Sequence, residues 1–225
     1  MRICLCIKGT FSLNDIRKGY DHTEAYNNKL HESLESIKKS LINPLLEQGH
    51  SVDIIFSTYD TSCSLIAENV LSPIKCYKFP NKGIYEHSIV KYKDPQLRHY
   101  KKLVELIRQS ESEKNNKYDF FIFTRFDLIF IGKVTEWNIN YNEFNIAMMH
   151  SSGNCDDNIW LFPSKDIENF ELCVDELMDR KREGMTHEMN KVLNIKNVKI
   201  NYIYIITQED YDKNTCYKIF SFNRS

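Results

Sequence analysis

Short apolar runs alternate with helical segments over the first 133 residues, and no other pattern in the chain narrows the fold so far. RICLCIKG (2–9) and SVDIIFSTYD (51–60) read as buried strands that end in loops, with a shorter strand expected around IKCYKF (74–79). KYDFFIFTRFDLIFIGK (117–133), the most apolar stretch, reads as the best candidate for a central strand. Between the first two strands, Leu30, Leu34, Ile37, Leu41 and Leu45 recur at helical spacing. Asp21 with Glu24 resembles a capping box for that helix, Pro44 should kink it near its end, and Gly49 supplies its stop. A weaker helix is expected over 62–71. Asp94-Pro95 should open another, with Leu97, Tyr100, Val104 and Ile107 on one face. Strands and helices in this order make a mostly parallel sheet covered by helices.

The rhythm changes after residue 133. NEFNIAMMH (142–150) and NIWLF (158–162) read as short strands around the loop SSGNCDD. Ile167, Phe170, Val174 and Leu177 mark a helix, with Gly184 beyond it. THEMNKVL (186–193) reads as a short helix before the alternating strand VKINYIYIIT (198–207). With no repeat and no long linker in its 225 residues, the chain is expected to be one α/β domain.

Lys and Arg total 30 against 31 Asp and Glu, a formal charge of −1 that argues against a nucleic-acid partner. Seven cysteines without a CxxC point to buried free thiols rather than a disulfide framework or zinc site. The first apolar run is too short for a secretory signal, and no stretch approaches the ~18 apolar residues of a membrane span. A soluble, cytoplasmic protein is the expectation. Neither GxxxxGK[ST], GxGxxG nor HExxH occurs, which sets aside P-loop, dinucleotide-fingerprint and zinc-protease chemistry.

Arg125 and Asp127 interrupt the most apolar run. In a strand, i and i+2 share a face, so both should point one way and Phe126, Leu128 and Phe130 the other. A lone buried charge is costly, so they are either an ion pair stitching the sheet to a helix or ligand-binding residues at a strand's carboxyl end. In the second case Asp127 would hold a divalent cation and Arg125 would meet a phosphate.

Four segments in order, DIIFSTYD (53–60), YDFFIFTRFDL (118–128), CDDNIWLFPS (155–164) and THEMNKVL (186–193), resemble the small glycosyltransferases of the GT-A fold found in large DNA viruses and bacterial polysaccharide clusters. The resemblance implies a GT-A-like, mixed but mostly parallel sheet, with 1–133 as the nucleotide-sugar half and 134–225 as the acceptor half. It also implies transfer of a hexosyl or deoxyhexosyl group from a nucleotide-diphosphate sugar, UDP-sugar foremost, to a glycan or glycoprotein hydroxyl. Mn2+ or Mg2+ would be the cofactor, with Asp127 as ligand and His187 as a late ligand. A strict Asp-x-Asp is absent, because residue 125 is Arg.

By position, Lys8, Gly9 and Arg17 are expected at the nucleotide, with Asp60 at the base or ribose and Arg125 at the diphosphate. Asp157, with Asp156 beside it, is either a general base for the acceptor hydroxyl or part of an Asp-Asn turn. His187 and Glu188 have a bland alternative as surface residues at a helix start. The rival functions are a non-catalytic nucleotide- or sugar-binding protein on the same fold, and a nucleotidyltransferase.

Overall fold

The computed structural model describes residues 1–9, 24–80, 95–149, 153–180, 185–205 and 220–222. Strands β1 (Arg2–Lys8), β2 (Ser51–Tyr59), β3 (Lys75–Phe79), β4 (Phe120–Arg125), β6 (Phe144–Met149), β7 (Trp160–Pro163) and β8 (Ile200–Ile205) form one seven-stranded sheet. Its order is β3-β2-β1-β4-β7-β6-β8. β7 runs antiparallel to both of its neighbours, β4 and β6, and the remaining pairs are parallel. The sheet therefore takes strands from both halves of the chain. The expected α/β architecture with a mixed, mostly parallel sheet is what the chain adopts.

The side chains of β1 divide the core in two. Ile3, Leu5 and Ile7 join a cluster with Leu30, Leu34 and Ile37 of α1 (Glu24–Ile37) and Ala67 and Leu71 of α3 (Ser62–Leu71). Cys4 and Cys6 face the other way, toward Leu97, Tyr100 and Val104 of α4 (Pro95–Lys114) and Phe170 and Val174 of α5 (Ile167–Asp179). The crossover from β1 to β2 thus covers one face, while the crossover from β3 to β4 covers the opposite face. The β1-to-β2 and β2-to-β3 connections lead to one side of β1 and the β3-to-β4 connection to the other, which makes the carboxyl ends of β1 and β4 the switch-point crevice where open α/β sheets bind ligands. Because α4 runs back from the carboxyl edge, its first turns lie beside that crevice.

Three sequence expectations need adjustment. The kink expected at Pro44 falls where the helix changes type. The turn Lys38–Ile42 widens to a π-helix before α2 (Asn43–Glu47), and Asn43 N–H donates to Lys38 O. A proline lacks its own N–H and crowds the carbonyl four residues back, and the wider turn accommodates both defects. The apolar run 117–133 is not one strand: β4 stops at Arg125, and Leu128–Phe130 forms β5, paired antiparallel with β9 (Phe220–Phe222). THEMNKVL opens as a 3-10 turn (Met185–Glu188) before α6 (Met189–Ile195). Asp21, Asp94, Gly184 and Cys216 lie outside the described residues. Among the described cysteines none is disulfide-bonded and all but the half-buried Cys76 are buried. No described helix is long and apolar enough to cross a membrane.

Candidate functional site

Lys8 ends β1 directly opposite Arg125, which ends β4, and Ser57 of β2 is its partner on the other side. All three follow the parity of Cys4 and Cys6, so they face α4. Lys8 is only 2% exposed, and a buried ammonium requires partners. It donates to Gln96 Oε1 and sits 4.3 Å above the Tyr100 ring. Gln96 Nε2 donates in turn to Asp157 Oδ2 at 2.6 Å. The amide's orientation follows from chemistry, since an ammonium only donates and a carboxylate only accepts. Thr186 Oγ1 donates to the same oxygen at 3.1 Å, and His187 Nε2 stands 4.0 Å from it.

Core packing holds this cluster in place. Tyr100 stacks on Trp160 at 4.6 Å and packs edge-on against Phe170. From that fixed position the Tyr100 hydroxyl donates to Asp157 O at 3.0 Å, and Trp160 Nε1 donates to Asp156 O at 2.7 Å. The Asp-Asp loop is thereby tied by both of its carbonyls to buried aromatic side chains. Burial pushes the Asp157 carboxyl upward, but Lys8, His187, Arg125 and Gln96 outweigh it and hold the group below the usual carboxylate range.

Arg125 and Asp127 form a bidentate pair, with Nε to Oδ1 and Nη2 to Oδ2 both at 2.8 Å. Asp127 lies in the turn after β4 rather than on the strand, and Phe126 between them packs edge-on against Phe56 on the opposite side of the sheet at 4.9 Å. Burial opposes the Arg125 charge, yet Asp127 raises its pKa above the ordinary value. The two residues do form an ion pair, but it ties β4 to its own following turn rather than to a helix, at the strand end where the ligand alternative also placed them.

The described donors do not fit a divalent-ion site. Both Asp127 oxygens receive the Arg125 fork, and Asp157 faces cations rather than further carboxylates. Among the described residues no three of His, Cys, Asp and Glu converge as a metal-binding group. The expected roles of Asp127 and His187 as Mn2+ or Mg2+ ligands therefore carry no step below. No protein-family model and no curated protein matches the sequence.

Asp156 is not placed for acid–base work on a substrate. It is 1% exposed and accepts from the backbone N–H of Asn158 at 2.9 Å and of Ile159 at 3.3 Å, as the Asp-Asn turn alternative implies. Burial, reinforced by the neighbouring Asp157 charge, raises its pKa to about 7. Its Oδ1 also meets the Asn158 amide nitrogen, while Asn158 Oδ1 has no partner among the described residues. A protonated Asp156 could instead donate to that oxygen with the amide turned over. The unfolded carboxyl titrates near 3.9, so this contribution is fully present below about pH 4 and is lost as pH rises through about 7. Asp156→Asn should flatten the fall in stability between pH 5 and pH 8, by on the order of a few kcal/mol. Urea unfolding of both proteins at the two pH values is the check, and parallel losses would show Asp156 ionised in the fold.

Of the other expected residues, Gly9 turns the chain away from β1 with φ +89°, a conformation suited to glycine, and its N–H donates to Ser57 O at 3.0 Å. Asp60 is exposed, and its N–H donates to Phe79 O at 2.9 Å, so the structure places its backbone, not its carboxylate, in the strand-end network. Arg17 lies outside the described residues. Gln96, Tyr100 and Thr186 were missed, as was an aromatic group at the ends of β2 and β3. There His99 meets Tyr59 at 4.9 Å and Phe79 at 5.0 Å, and the Arg98 guanidinium lies 4.6 Å over Phe79. Burial, with Lys8 and Arg98 nearby, lowers the His99 pKa to about 3, so it is neutral. For Gln96, Arg98, His99 and Tyr100 a signal existed: a crossover helix beginning at Pro95 must present its first turns to the carboxyl edge of the sheet.

Proposed function

We propose that the chain transfers a sugar from a nucleotide-diphosphate donor to a glycan or glycoprotein hydroxyl, on a GT-A-like fold. The observation that carries this is the pairing of Lys8 and Arg125 at adjacent strand ends in the switch-point crevice, on the face that also holds Asp157. Transfer breaks the bond between the anomeric carbon and a diphosphate oxygen, and the electron pair leaves with the diphosphate. Cations fixed before the reaction stabilise that developing charge most effectively, and charge-assisted contacts to phosphate are among the stronger hydrogen bonds. In this reading Lys8 and Arg125 supply the countercharge. Phe79 and Arg98, backed by the buried Tyr59, offer apolar and cationic surface on the nucleotide side. UDP-sugars remain the first donors to try.

A non-catalytic nucleotide or sugar binder is the second reading, favoured by the engagement of both Asp127 oxygens with Arg125. Thermal unfolding with UDP, GDP, CDP and their sugar conjugates, with and without Mn2+, tests both readings. A ligand at a hundredfold excess over its Kd should add about 2.7 kcal/mol, or roughly 5–10 °C for a chain of this size. A shift for one nucleotide family, independent of Mn2+, is the expected result. Binding followed by donor hydrolysis or transfer supports the transferase, and binding without either supports the binder. No shift with any nucleotide would overturn both.

A further inference from the structure

We propose that His187 is the general base of this site and that Asp157 is its partner carboxylate, an assignment that rests on the transferase reading above. His187 Nδ1 lies 3.1 Å from the backbone oxygen of Cys155. A carbonyl oxygen only accepts, so Nδ1 carries the hydrogen and Nε2 is the basic nitrogen of the neutral ring. That nitrogen points toward Asp157, 4.0 Å from Oδ2. The backbone of His187 is likewise tied to Cys155, because Cys155 N–H donates to His187 O at 2.9 Å and the Cys155 thiol to that oxygen at 3.4 Å.

Accessibility separates the two residues. The His187 side chain is 43% exposed and that of Asp157 only 5%, so an arriving hydroxyl meets the imidazole before it can meet the carboxylate. Asp157 is also occupied by the Gln96 and Thr186 donors and held anionic by its cationic surroundings. A carboxylate whose pKa is held down is a weak base. The same anion is well suited to stabilise an imidazolium formed beside it. The next residue, Glu188, pairs with Arg180 at 3.2 Å. Asp157, from the loop before β7, approaches His187, and Lys8 of β1 and Arg125 of β4 act in turn on Asp157.

The step balances. The acceptor oxygen bonds to the anomeric carbon and gives its proton to His187 Nε2. The diphosphate departs with the bonding pair toward Lys8 and Arg125, and the imidazolium later returns its proton to solvent across its exposed edge.

The test compares wild type with His187→Gln, using whichever donor the thermal screen selects. His187→Gln should keep donor affinity, lose about 10²–10⁴-fold in transfer rate, and lose the acidic limb of the pH–rate profile. Nitrogen-15 NMR of the wild-type ring gives a readout independent of activity: the neutral form should carry its proton on Nδ1. Transfer by His187→Gln at the wild-type rate with an unchanged acidic limb overturns the proposal, as does a neutral ring protonated on Nε2. A wild type that binds a donor and transfers nothing overturns the transferase reading, and this assignment falls with it.

Discussion

Asp127→Ala should destabilise the fold by about 3–5 kcal/mol, because it removes the bidentate partner of the Arg125 guanidinium at a largely buried strand end. The Asp127 side chain is 4% exposed and that of Arg125 17%, so solvent does little to screen the pair. The pair itself need not be a net gain. Replacing both members with apolar side chains, as in Arg125→Met with Asp127→Leu, should recover most of the loss, since a matched buried ion pair often breaks even against a well-packed apolar one. Denaturant unfolding of the two single variants and the double variant measures this directly. A loss below about 1 kcal/mol in Asp127→Ala would show that the guanidinium finds water or another partner.

The same variants separate the two roles once considered for Asp127. A metal ligand on the donor's diphosphate would take nucleotide affinity with it when removed. An aspartate that holds Arg125 by both oxygens competes with the phosphate for that guanidinium. Nucleotide affinity in Asp127→Ala should therefore hold or rise, even as stability falls. It should drop in Arg125→Met. Opposite movements of stability and affinity in one variant are hard to obtain by general unfolding.

How far the sequence foretold this site depends on the residue type. Lys8, Arg125 and Asp157 were visible because a charge at the end of an apolar run stands out, and burying it demands a reason. The alternation of strands and helices put Lys8 at a strand end and offered the same place for Arg125, whereas Asp157 stood out only as half of an acidic pair before an apolar strand. Gln96 and Thr186 could not be found that way, since a neutral polar residue in a helix or turn has no such cost to explain. The break between β4 and β5 was hidden for a different reason. Phe126 and Leu128 continue the apolar run on either side of Asp127, and neither glycine nor proline marks the turn. Nor could local pattern reveal that β7 runs antiparallel or that Leu128–Phe130 pairs with Phe220–Phe222, because both depend on partners distant in the chain. His187 was expected as a late metal ligand, and the fold sets it beside Asp157 instead. Its orientation by Cys155 O and its approach to Asp157 required the fold.

Lys8→Met should weaken binding of a nucleoside diphosphate by roughly 10–100-fold, the equivalent of one charge-assisted hydrogen bond at about 1.5–3 kcal/mol. The fold should tolerate the change better than it tolerates Asp127→Ala. Methionine fills much of the lysine stem's volume above Tyr100, and the variant removes a buried ammonium along with its hydrogen bond to Gln96. Lys8→Arg should not restore binding, because a planar guanidinium is not interchangeable with the compact ammonium that fits between Gln96 and the Tyr100 ring. Comparing UDP with uridine isolates the phosphate contribution: the loss should appear for UDP and vanish for the nucleoside. Raising the ionic strength should weaken the wild-type affinity for UDP more than that of the variant. Titration calorimetry of both ligands on wild type, Lys8→Met and Lys8→Arg reads all of these effects together. If Lys8→Met binds UDP as wild type does, then Lys8 serves the fold alone, by holding Gln96 against Asp157. The phosphate site would then have to lie away from the strand-end pair that carries the functional reading.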